Sequence, residues 1–134
     1  MRWYEVSPIP IKRRARFRRN GTAYTDPRTK ADLGRIADSW DGCLYPSDVP
    51  LALIVEVYQQ LPKSRARRLM EPFTLKPDVD NIIKAVMDGL NGVAFEDDKQ
   101  ITFVSCHKRN RTTDIKGEYV KYALLPTKEL RNIG

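Results

Sequence analysis

The chain has 134 residues, 24 Lys and Arg against 17 Asp and Glu, a formal net charge of +7 and a pI near 9.6. That length buries one core without disulfide support and is too short for two independent folds, so a single domain is expected. Cys43 and Cys106 have neither CxxC spacing nor a companion pair of His or Cys, which excludes a zinc motif and a disulfide framework and suits a reducing compartment. No apolar run approaches the ~20 residues that span a bilayer. The opening Met1-Arg-Trp-Tyr-Glu5 also lacks the apolar stretch of a signal peptide, so a cytoplasmic protein without membrane contact is expected.

Taken in chain order, Trp3 to Pro10 reads as a short strand ended by two prolines, followed by a loop from Lys12 through Asn20-Gly21. Thr25-Asp26-Pro27 predicts a helix start, with Thr25 or Asp26 as the cap and the helix running to about Trp40, where Asp41-Gly42 stops it. Leu51 to Tyr58 is an apolar, β-branched run of strand length and predicts a buried central strand. Pro62 to Pro77 is a long basic connection. Val79, Ile82, Ile83, Val86, Met87 and Leu90 then recur at helical spacing and form one apolar stripe, with Gly92 placed to end the helix. Ile101 to Lys108 and Glu118 to Leu125 read as two strands, expected to be antiparallel neighbours across the polar loop Arg109 to Gly117. The order predicts an α+β domain with a mixed sheet and two main helices on one face.

The charges are not evenly spread. Lys12, Arg13, Arg14, Arg16, Arg18 and Arg19 fall close together, and Lys63, Arg65, Arg67, Arg68 and Lys76 form a second basic stretch. Carboxylates concentrate between Asp78 and Asp98. Basic surface around an acidic patch is what a metal-dependent nuclease needs, since the first holds phosphate and the second holds a cation. Asp78 and Asp80 fall at a helix start, where carboxylates are stabilised as caps by the exposed N–H groups and the positive dipole end. Pro77 disfavours helical geometry at Lys76 and so defines a sharp helix start from which both carboxylates can face one site. Glu96, Asp97 and Asp98 follow the helix. A strand packed beside that helix is expected to return this acidic loop toward Asp78 and Asp80. Three converging carboxylates repel, each pair ~4 Å apart by about 4 kcal/mol at an effective dielectric near 20, so a proton or a hard cation such as Mg2+ or Mn2+ must neutralise them. Lys84 lies one turn after Asp80, where it either pairs with it or reaches a phosphate.

The stretch from Lys76 to Ile101 carries D-x-D-N, a Lys four residues after the second Asp, D-x-L-N-G at the helix end, and D-D-x-Q before an apolar strand. It resembles the signature of the RusA family of Holliday junction resolvases. Residues Arg16 to Lys30 resemble that family's N-terminal loop and first helix more loosely. The resemblance implies a RusA-like α+β domain in which Asp78, Asp80 and Asp98 are Mg2+ ligands, with Mn2+ as a substitute, and Lys84 is the catalytic lysine. It implies DNA contacts from Arg13, Arg14, Arg16, Lys76, Asn81 and Lys84, with Asn81 supporting the site. Asp98 is preferred to its neighbour Asp97 because the family's ligand is the second Asp of the pair. A homodimer that nicks the two strands of a four-way DNA junction symmetrically, in recombination and repair, is implied as well. So is a phage or prophage setting.

Two alternatives stand beside that one: a non-catalytic nucleic-acid-binding protein whose acids only cap a helix, and a metal-dependent nuclease acting on flaps or RNA. His107 has no visible triad partner and is expected at the surface or as a satisfied histidine. Trp3, Trp40 and Tyr58 are expected in the core. Phe17, inside the arginine run, is the aromatic that would suit an apolar wedge at a DNA branch.

Overall fold

The computed structural model of the chain describes residues 1–59, 77–109 and 117–132. The second basic stretch, including Lys76, lies outside the described residues. Six strands and two helices follow in the order β1 (Tyr4–Val6), β2 (Arg16–Phe17), β3 (Ala23–Tyr24), α1 (Pro27–Ser39), β4 (Leu51–Tyr58), α2 (Val79–Leu90), β5 (Ile101–Lys108) and β6 (Tyr119–Pro126). The main sheet has the strand order β1-β6-β4-β5 and is mixed: β4 runs parallel to β5 and antiparallel to β6, and β1 is antiparallel to β6. β2 and β3 form a separate antiparallel hairpin. With its mixed sheet and two helices, the fold is α+β as expected.

β4 lies inside the sheet, with Leu51, Leu53, Val55 and Val57 fully buried. These residues share one core with Val120, Tyr122 and Leu124 of β6, Ile36 of α1, and Ile82, Val86 and Leu90 of α2. Alternate residues of a strand face the same side, so both helices cover one face of the sheet. The α2 stripe is realised in Ile82, Val86 and Leu90, whereas Val79, in the first turn, is exposed. α1 and α2 pack tightly where Gly89 meets Ile36: a Cβ on Gly89 would lie 2.6 Å from the Ile36 Cβ. α2 is capped at Asn91, and Gly92 follows at φ +81°, a conformation glycine adopts without steric cost.

The expected pairing of the last two strands is not what the sheet adopts, because β4 lies between β5 and β6. Burial gives the reason. β6 is buried along most of its length, on both faces, while β5 is largely exposed. The most apolar strands take the inner positions and β5 takes an edge. The arginine segment also differs from a plain loop: Arg16 and Phe17 pair with Tyr24 and Ala23, and Gly21 turns the chain at φ +84°. Trp40 packs against the core. Tyr58 stacks on Tyr119 with ring centres 4.8 Å apart, and Trp3 lies under the Lys121 ammonium. His107 is exposed on β5. No helix among the described residues is long and apolar enough to cross a membrane.

Candidate active site

Among the described residues three aspartates occupy N-cap positions, and two of them cap with their side chains. The Asp26 side chain accepts from the Arg28 backbone N–H at 2.9 Å and pairs with its guanidinium at 3.0 Å. Those bonds, the side-chain one foremost, pull the Asp26 carboxyl down to about 2. Asp97 caps a 3-10 turn, Asp98–Gln100, by accepting from Lys99 N at 3.0 Å, while the Gln100 side chain accepts from Asp97 N at 2.9 Å. The bond from Lys99 N holds the Asp97 carboxyl below the usual carboxylate range. Asp78 is different. It is the N-cap of α2, yet its side chain makes no cap hydrogen bond. The carboxylate is therefore not spent on the helix it begins.

The surroundings of Asp78 are built by α1. The stretch after β1 crosses both helix starts: Ile11 N donates to Asp32 Oδ2 at 3.1 Å, Lys12 N to the Asn81 carbonyl at 3.1 Å, and Arg13 N to Thr29 Oγ1 at 3.1 Å. Asp32 is buried and also pairs with Arg13 at 2.9 Å and with Arg35, so its charge is compensated. Lys12 reaches Asp88 at 3.0 Å. Pinned on both sides, the chain presents Arg14 to an open cavity of about 600 Å3 that Ile11, Pro77, Asp78 and Asn81 also line. A guanidinium and a carboxylate thus border one cavity at the start of α2, whose first turn adds its unpaired N–H groups.

The structure divides the expected residues into groups. Asp78, Asn81 and Arg14 line this cavity, and Asp80 follows in the first turn of α2, exposed. Lys84 is exposed one turn further on, and among the described residues no ion pair joins it to Asp80. Arg16 begins the hairpin, while Arg13 is turned onto Asp32. Asp98 lies elsewhere. The segment after α2 closes onto the helix end, with Gly92 N donating to the Phe95 carbonyl at 2.8 Å and Tyr45 N to that of Ala94 at 2.8 Å. Glu96 accepts from Ser47 N at 3.1 Å, and Gln100 donates to the Pro46 carbonyl at 2.7 Å. Asp98, exposed, therefore stands at the start of β5 beside the start of β4, whereas Asp78 and Asp80 stand at the other end of α2, a helix rising about 18 Å. Among the described residues no three His, Cys, Asp or Glu side chains gather where a metal ion could sit. One chain by itself does not hold the three carboxylates together.

Thr29 and Asp32 were not among the expected site residues. The signal for them is in the sequence: with Ile36 they fall at i, i+3 and i+7, the buried stripe of α1, and a polar side chain on such a stripe must find a partner.

A protein of Bacillus subtilis (strain 168), "Uncharacterized protein YqaN", is 36% identical over 69 residues, which is 44% of this chain and 48% of that protein. The chain thus spans about half the length of this relative. The profile of the family described as "Endodeoxyribonuclease RusA" matches residues 5–116, a range that takes in the strap across the helix starts, the Asp78 cavity and the Asp98 turn. On that match the chain belongs to the RusA endodeoxyribonuclease family.

Proposed function

We propose that the chain is a Mg2+-dependent endonuclease that resolves four-way DNA junctions by paired symmetric nicks, working as a homodimer in recombination and repair. The observation that carries this reading is the Asp78 carboxylate, which sits at a helix start without capping it and shares an open cavity with Arg14. A protein whose acids only capped helices would use Asp78 as it uses Asp26 and Asp97. The phosphodiester is placed by Arg14 and the first-turn N–H groups of α2, and Lys84 adds a point charge one turn further along. Oxygen donors from Asp78, Asp80 and Asp98 suit Mg2+, with Mn2+ as a substitute.

The separation of Asp98 from Asp78 gives the dimer its role in this proposal. Among the described residues β5 pairs only with β4, and Phe103 and Val104 are exposed at its centre. α2 connects parallel strands, so it runs opposite to them, and its first turn lies toward the Lys108 end of β5. Two β5 edges paired antiparallel about a twofold axis set the Asp98 end of each copy against the Asp78 end of its partner. This arrangement makes two equal sites roughly 26 Å apart, the length of an eight-residue strand.

The test uses a synthetic four-way junction with and without Mg2+, beside a flap, a linear duplex and RNA. Selective, metal-dependent cutting of the junction is expected; tight binding without cutting, or equal rates on all substrates, refutes the assignment. Mixing Asp80→Asn chains with Asp98→Asn chains examines the shared site. A mixed dimer then keeps one complete site and nicks one strand, whereas sites built within single chains stay inactive in every combination.

A further inference from the structure

The β2–β3 hairpin has a feature that the cavity does not use. Its turn is closed by Arg18 N to the Thr22 carbonyl at 2.9 Å, Gly21 N to the Arg18 carbonyl at 2.9 Å, and Thr22 N to Asn20 Oδ1 at 3.0 Å. Its root is the pinned strap that ends in Arg14. The two hairpin faces differ. Strand alternation and the pairing of Arg16 with Tyr24 put Arg16, Arg18 and Tyr24 on one face, where the Arg18 guanidinium lies 5.0 Å from the centre of the Tyr24 ring. Phe17 is on the other face, opposite Ala23, and is 70% exposed, the most exposed large apolar side chain among the described residues. Tyr4, Trp40 and Tyr45, by contrast, pack against the core. Ala15 and Ala23 beside Phe17 are too small to cover its ring. Arg14, at the cavity, is only three residues away, at most about 11 Å of extended chain.

We propose that Phe17 is a base-stacking contact, which takes an unstacked nucleobase at the branch point of the DNA whose backbone Arg14, Arg16, Arg18 and Arg19 hold. The proposal rests on the branched-DNA reading above. Charge selects this occupant: four arginines repel a second copy of the same hairpin and attract a polyanion. Chemistry selects the part of the polyanion, because an uncharged aromatic face offers nothing to phosphate and stacks on any base. In a junction whose arms are unstacked, the base pairs at the branch point have a stacking neighbour on one side only, so their bases are the least costly to take out of the helix.

The experiment titrates a four-way junction, with 2-aminopurine placed in turn at each crossover base, and a linear duplex of the same sequence. The titrant is the Asp80→Asn chain carrying Phe17, Phe17→Tyr or Phe17→Ala, so that binding is read apart from cutting. The expected result is a rise in 2-aminopurine fluorescence on the junction alone, retained by Phe17→Tyr. Phe17→Ala is expected to lose the rise and to bind the junction about tenfold more weakly, with an unchanged melting temperature. Selective junction binding that Phe17→Ala leaves intact, with the same fluorescence, overturns this inference while leaving the junction assignment standing. Equal binding of junction and duplex overturns both. A change of oligomeric state in Phe17→Ala also overturns it, by placing the ring between two copies.

Discussion

Gly89→Ala tests whether the two helices hold the cavity at its present width. In a helix interior the change from Gly to Ala is by itself favourable, by about 1 kcal/mol. Here the added Cβ would lie 2.6 Å from the Ile36 Cβ, 2.7 Å from its Cγ2 and 3.1 Å from its Cδ1. Carbon atoms pack at about 3.5 to 4.0 Å, so α1 and α2 must separate by roughly 1 Å. The nearest atom is a Cβ, which no rotamer moves. The cost therefore falls at the upper part of the ~1 to 3 kcal/mol typical of overpacked cores. The net expectation is a loss of about 1 to 2 kcal/mol, read by urea unfolding with an unchanged slope, and a fall of several degrees in Tm. α1 anchors the strap that carries Arg14 and α2 carries Asp78, so cleavage by the folded fraction is expected to drop as well. A variant as stable as the wild type, or more so, refutes this account of the helix contact.

Other substitutions separate acids that hold the fold from those assigned to the proposed reaction. Asp78→Asn is expected to abolish cleavage of the junction while moving Tm by less than the loss of a working cap, because its side chain caps nothing; a large drop in Tm would contradict that. Asp26→Asn keeps a capping oxygen and removes the charge that faces Arg28. Since the Asp26 carboxyl is depressed to about 2, its stabilisation is complete above the ordinary value of 3.8 and is lost as the pH falls through about 2. The Tm gap between wild type and Asp26→Asn should be constant from pH 7 to 5, narrow from about pH 4 downward and lose its charge-dependent part below pH 2; a gap of the same size at pH 5 and pH 2 would contradict the assignment. Arg14→Gln is expected to weaken DNA binding and flatten its salt dependence, whereas Arg13→Gln, which strips buried Asp32 of a partner, should lower Tm first. Lys84→Ala should slow cleavage of bound junction more than it weakens binding; the reverse would make Lys84 a phosphate contact only.

Much of the local structure is written in single residues. Asp26-Pro27 starts α1, the Leu51 to Tyr58 run makes β4 with no offset at either end, and the Ile82, Val86 and Leu90 spacing makes the buried face of α2. These signals are local because caps, prolines and periodicity act within one or two turns of chain. The Asp-x-Asp-Asn stretch likewise marks the start of α2.

The sheet order and the make-up of the site depend on contacts between segments far apart in sequence. Nothing within Ile101 to Lys108 says that β4 will separate it from β6; that follows from how much of each strand the assembled core can bury. The same packing draws the residues after α2 back onto the end of that helix, which parts Asp98 from Asp78 although both lie in one acidic stretch. The sequence by itself marked both main helices, β4 and the pair of carboxylates at the start of α2. Only the tertiary structure decided that the partners of Thr29 and Asp32 on α1 are the strap residues that set Arg14 beside those carboxylates, because the spacing of polar residues on a helix says that they need partners and not which distant segment supplies them.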